Sequence, residues 1–116
     1  MDDWRDRCAE AVRLAPSADE SSAATRLLML LLDPEDAAVS QAAADALLQR
    51  GDLVGVRLVA EAFEVAEGDT RNKLGDCLYD DDGTRWAVVQ SLLDELPAVG
   101  PALREHMYRA EKEHRG

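Results

Sequence analysis

Apolar residues recur at three- and four-residue spacing along almost the whole chain, and Pro, Gly and Asp interrupt them at short intervals. A three-to-four spacing returns side chains to one face of an α-helix, and the interruptions are the residues that start and stop helices. This pattern favours packed helices over a sheet. Composition agrees, because hydrophobic residues make up 47% of the 116 but aromatics only 4%, and the apolar mass is Ala, Leu and Val. Ala and Leu are strong helix formers.

The punctuation predicts seven helices. The first covers 2–14, with Trp4, Cys8, Ala11 and Val12 on one face, and ends before Pro16. Ser17-Ala18-Asp19-Glu20 has the Ser-x-x-Glu spacing of a capping box, which opens a second helix running to Leu32. The unbroken run Leu27–Leu32 belongs in a core, being far too short to span a bilayer. Asp33-Pro34 combines an N-cap residue with the residue best tolerated at the first helical position, and predicts a third helix to Arg50. Gly51 ends it and Asp52 caps a fourth helix over 53–66. That helix is apolar except for a narrow stripe of Arg57, Glu61 and Glu64, so neighbours must cover it on more than one side. A fifth helix, 70–80, is weakened by Gly75, at a cost of roughly 1 kcal/mol relative to Ala. After the acidic loop at Asp80-Asp81-Asp82-Gly83 comes a sixth helix, 84–96, with Trp86, Val89, Leu92, Leu93 and Leu96 inward. A last helix, 101–114, has a thin apolar face of Leu103, Met107 and Ala110.

Short links between these helices make them a run of antiparallel hairpins. Residues 33–68 and 69–96 each read as a helix, a link and a second helix, and 2–32 supply an imperfect earlier pair. The expected fold is all-α: one domain over 1–116, a short right-handed α-solenoid of about three hairpins with a C-terminal capping helix.

The stretch Leu30-Leu31-Leu32-Asp33-Pro34-Glu35-Asp36-Ala37-Ala38-Val39, then Ala42-Ala43-Ala44-Asp45-Ala46-Leu47-Leu48 and Gly51-Asp52, resembles a HEAT-type repeat. The Ala/Asp/Arg/Leu-rich texture is similar to that of small HEAT-like proteins of high-GC bacteria. Ser40 stands where such repeats commonly carry an arginine after the valine, so this chain departs from their polar ladder. The resemblance implies stacked hairpins and a binding role, and it brings no catalytic residues with it.

Net charge is −11, and it is unevenly placed. Residues 1–36 carry nine acids against four bases, 37–83 carry ten against four, and 84–116 carry five of each. A surface this negative repels nucleic-acid backbones and anionic membranes and steers a basic protein towards it. Solubility is the plainer reading of the same charge. Cys8 and Cys77 match no metal spacing, and Met1-Asp2-Asp3-Trp4-Arg5-Asp6 lacks the basic-then-apolar order of a secretion signal, so a reduced, cytoplasmic setting is expected.

Catalytic motifs are missing from the sequence: it has no nucleophile elbow, phosphate-binding loop or dinucleotide fingerprint. Glu111-Lys112-Glu113-His114 has the Glu-x-x-His spacing of di-metal bundles, which need that motif twice. Aligning Gly83 with the glycine of a calcium loop puts Leu78 and Val89 at the decisive ligand positions, so no metal and no cofactor is expected. Cys77 lies on an apolar face without a nearby histidine and reads as a buried thiol. Trp4 and Trp86 suit either a core or an interface anchor.

The candidate site is therefore a surface for a basic protein partner, formed by Asp69, Asp76, Asp80, Asp81 and Asp82 with Trp86, and joined by Asp33, Glu35 and Asp36 at the start of the preceding hairpin. Helix capping is the competing role for Asp33, Asp36 and Asp69. The expected function is a non-catalytic protein-binding module, with an immunity or antitoxin-type protein that covers a toxin as its narrower form. A small-ligand binder or enzyme with a pocket between helices near Asp76 and Tyr79 is an alternative, and self-association through the last helix is another.

Overall fold

The computed structural model describes residues 3–79, 83–96 and 100–115. These form seven helices and, among the described residues, no strand: α1 (Trp4–Leu14), α2 (Ser21–Leu31), α3 (Ala37–Gln49), α4 (Leu53–Val65), α5 (Gly68–Asp76), α6 (Thr84–Asp94) and α7 (Pro101–Arg115). A 3-10 turn, Ala15–Ser17, follows α1 directly.

Carboxylates start several of these helices. Asp3 accepts from the Asp6 amide, Asp36 from Ala38 and Asp52 from Gly55, each at 2.9–3.1 Å, satisfying amides that have no partner within the helix. The first amides of α7 look to another helix: Ala102 N donates to Glu64 of α4 at 3.1 Å. Gly51 ends α3 at φ +67°, a left-handed conformation that costs glycine little, and the Asp52 cap follows at once.

Two expected caps do not form. Ser17 and Glu20 make no capping box: Pro16 lies in the 3-10 turn, which extends α1, and Glu20 sits at the N-cap of α2 with no side-chain bond to it. Asp33 does not open α3 either, which begins three residues after Pro34. The Asp33 carboxylate is turned inward, 7% exposed, accepting from Arg7 Nε at 2.8 Å and from the amides of Glu35 and Asp36 at 2.9 and 2.8 Å. Arg7 is itself only 12% exposed, and a guanidinium removed from water needs a carboxylate more than a helix needs one particular cap.

Packing follows the apolar faces. α3 lies against α1 on one side and α5 on the other, and α4 lies against α2, α6 and α7. Of the three expected hairpins, α1 meets α2 and α3 meets α4, whereas α5 and α6 scarcely touch and pack instead on α3 and α4. The expectation for α4 holds: Val56, Leu58, Val59, Ala60, Ala62 and Phe63 are buried, and the helix touches α2, α3, α5, α6 and α7. Gly55 allows the close crossing of α3 and α4, since a Cβ there would sit 2.1 Å from the Leu47 carbonyl oxygen. α7 buries Leu103 and Met107, a thin face as expected. The first helix differs from expectation, with Ala11 buried and Cys8 half-buried, but Trp4 and Val12 largely exposed. Within the run Leu27–Leu32, Met29 points outward.

Three arginines tie helix C-termini to other elements. Arg50 Nη1 donates to the carbonyls of Ala15 and Pro16 at 2.7 and 3.0 Å, while Nε and Nη2 grip Asp52. Arg85 Nη1 donates to the Cys77 carbonyl at 3.0 Å, just past α5. Arg104 donates to the carbonyls of Leu93 and Leu96 at the end of α6. The last carbonyls of a helix lack internal partners and carry the negative end of its dipole, so a cation with several donors suits them.

Asp33→Ala is expected to cost about 2 kcal/mol in urea unfolding at neutral pH, because it removes the buried carboxylate from Arg7 and the acceptor from the Glu35 and Asp36 amides. Burial raises the Asp33 pKa, but the two amides and Arg7 outweigh it and hold the carboxyl below its usual range. The Asp33 contribution is thus complete above the ordinary carboxylate pKa and lost as pH falls through the lower folded value, so wild type and variant should converge in acid. Ser40 is fully buried in α3 and its Oγ has no hydrogen-bond partner. Ser40→Ala removes that cost and improves helix propensity, so the same assay should show a gain of about 1 kcal/mol.

Candidate functional site

The stacking of α5 on α3 leaves a groove of about 450 Å³, closed at one end by the start of α6. Asp45 and Gln41 of α3, Asp76 of α5, and Cys77, Tyr79 and Arg85 beyond it line the groove, with Ala38 and Ala42 at its base. Asp45 is already engaged, accepting from Arg85 Nη1 at 2.7 Å and from Gln49 Nε2 at 3.1 Å. Asp76 is exposed, and its carboxylate makes no hydrogen bond or ion pair with the described residues.

The aromatic wall of the groove is built from the segment just after α5 and from α6. Tyr79, 49% exposed, stacks on Trp86 with ring centroids 4.9 Å apart and planes 27° from parallel. The Trp86 indole is fixed from behind, since Nε1 donates to Glu111 Oε1 of α7 at 3.1 Å. Gln90 Nε2 donates to the same oxygen at 2.5 Å. Glu111, read in the sequence as half of a Glu-x-x-His motif, is thus the brace that holds an aromatic ring in place. No group of three potential metal ligands occurs among the described residues.

Cys77 is a poor nucleophile for this groove. Its Sγ donates to the Gln41 carbonyl at 3.5 Å, and its pKa is pushed up to about 11, first by burial and then by Asp45, so the reactive thiolate is scarce at neutral pH. Cys8 bonds similarly to the Ala38 carbonyl. Among the described residues no helix is long and apolar enough to cross a membrane.

The structure sorts the expected site residues. Asp76 lines the groove and Trp86 backs its wall. Asp69 is exposed at the opposite end of α5 and does not line the groove. Asp80, Asp81 and Asp82 lie outside the described residues. Asp33 is withdrawn into its pair with Arg7 and contributes no surface charge, and Asp36 is taken up in capping α3. Sequence reasoning did not bring in Asp45 or Arg85, which stand 40 residues apart and meet only through helix stacking.

A second depression lies between α5 and α7, also about 450 Å³, around Arg71, Glu105, His106, Arg109 and Glu113. His106 sits against Phe63 of α4, with ring centroids 5.2 Å apart, and over the Gly75 backbone. A Cβ at residue 75 would lie 3.0 Å from His106 Nε2, so the glycine read as a weak point of α5 is what lets α7 approach. Burial first, and then Arg71, lowers the His106 pKa, while Asp76 and Glu113 oppose that shift.

Gly75→Ala is expected to destabilise the protein despite the better helix propensity of Ala, because the imidazole must move. In a His106→Ala background the sign should reverse, with a gain of up to about 1 kcal/mol, as read from a thermal-unfolding double-mutant cycle.

No protein-family model, curated protein or solved structure matches the chain.

Proposed function

We propose that the protein is a non-catalytic, HEAT-like binding module that takes a basic segment of a partner protein into the α3–α5 groove. The stacked-hairpin reading is supported by the order of packing, α1 on α3 on α5 and α2 on α4 on α6. The molecule's extents, 48 × 26 × 26 Å, suit a short stack seen end to end. In such stacks one row of helices commonly forms the binding face.

The observation that carries the functional reading is the pairing of an unengaged carboxylate, Asp76, with a braced and half-exposed aromatic, Tyr79 on Trp86, in one groove. A lysine or arginine side chain is matched by both: the carboxylate attracts its charge, and the face of an aromatic ring attracts cations. The net charge of −11 adds long-range steering. The high pKa of Cys77 argues against covalent chemistry in the groove.

A Lys/Arg-rich peptide titrated into the Trp4→Phe protein should change Trp86 fluorescence saturably, and more weakly as salt rises. Asp76→Asn combined with Tyr79→Ala should lower affinity about tenfold. Glu20→Gln, which removes the same charge from the start of α2, should leave affinity within about a factor of two. Equal losses from both changes would reduce the interaction to diffuse charge and sink the groove reading.

A further inference from the structure

The α5–α7 cleft is a different kind of site from the groove: its lining balances Arg71 and Arg109 against Glu105 and Glu113 around His106. Arg71 is half-buried, with its guanidinium 4.5 Å above the Phe63 ring, and it makes no ion pair or hydrogen bond with the described residues. That is unusual in this chain, which has 24 acids against 13 lysines and arginines. The half-buried Arg7, Arg26, Arg50 and Arg85 each hold a carboxylate at 2.7–2.9 Å. Arg104 is occupied by helix carbonyls. Arg71 alone among these keeps its fork of donors unused, while Phe63 fixes the guanidinium in place.

We infer that the α5–α7 cleft binds a small oxoanion-bearing ligand, a phosphate or carboxylate compound, with Arg71 as its primary anchor. A volume of about 450 Å³ falls within the range of small-ligand pockets, roughly 300–1,000 Å³. A planar guanidinium gives two parallel donors to an oxoanion, and prior orientation by a ring lowers the entropy lost on binding. Arg109 at the mouth of the cleft is paired with Glu105 at 2.6 Å, but both side chains are more than half exposed. Such a pair is weak, so Arg109 can turn to a ligand at little cost.

His106 adds a pH-dependent contact. The charged groups around it are Arg71 and Asp76 from α5 and Glu105, Arg109 and Glu113 from α7, while α4 presents the Phe63 ring. Empty, the cleft favours the neutral imidazole, because burial and Arg71 both oppose the cation. An oxoanion beside Arg71 cancels that repulsion and favours protonation, so binding tightens as pH falls through the His106 titration. Glu113 opposes any anion and sets the upper limit on affinity.

The test is NMR of the His106 imidazole in the full chain between pH 5.5 and 8. Inorganic phosphate and succinate are titrated separately, each against chloride at matched ionic strength. A saturable shift and a raised His106 pKa are expected with at least one oxoanion. Phosphate alone would assign phosphate compounds, succinate alone would assign carboxylates, and a response to both would assign oxoanions in general. Arg71→Gln should weaken binding about tenfold, and Glu113→Gln should strengthen it. Should Arg71→Gln fail to fold, Arg109→Gln and Glu113→Gln carry the comparison with opposite signs. A response no greater than that of chloride, or one unchanged by these substitutions in folded protein, overturns the inference without touching the groove reading.

Discussion

α4 can be at home only where other helices surround it. Its polar stripe is three residues wide along its length, and each remaining side would expose valine, leucine or phenylalanine to water. The protein meets this demand by placing α2, α3, α5, α6 and α7 around it. Much of the rest follows from that arrangement. α3 must cross close to α4, which Gly55 permits, and α7 must begin beside α4, where Glu64 supplies the cap it needs. The stripe read as merely wet is therefore partly in use as structure. Both candidate sites are spaces left beside helices positioned by this packing.

Polar groups then fix the register that hydrophobic packing leaves loose. Ser40 in the middle of the fold is buried and its hydroxyl has no partner among the described residues, so it adds nothing to that register. Arginines tie the elements together instead: Arg7 to Asp33, Arg50 to the end of α1, Arg85 to the end of α5 and Arg104 to the end of α6. Each joins elements that hydrophobic contacts alone would allow to slide. The acid-rich composition makes the carboxylate half of such pairs easy to find and leaves a lone guanidinium conspicuous.

What could be read in the sequence was what depends on neighbours along the chain. The helical period, the Gly51-Asp52 stop and start, the burial of α4 on several sides and the thin face of α7 all rest on residues within a turn or two of one another. Asp33 was misread because its partner, Arg7, lies 26 residues earlier, and the local signal for a cap was the same either way. Trp4 and Val12 were misplaced because α1 turns Cys8 and Ala11 towards its neighbours α2 and α3 and leaves these two exposed. In the groove, Asp76 and Trp86 were legible as an acid and an aromatic near one loop, whereas Asp45 and Arg85 needed the α3–α5 packing to bring them in. The α5–α7 cleft left a trace in the sequence only as Gly75, whose meaning lies in the imidazole opposite it.

The Glu111 brace has one more consequence. A single carboxylate oxygen on α7 holds both Trp86 and Gln90 of α6, and Trp86 in turn supports Tyr79 at the groove. α7 also forms one wall of the cleft that contains Arg71 and His106. The two spaces thus share one supporting helix. If filling one space shifts α7 and so alters the other, thermodynamic linkage makes the effect equal in both directions.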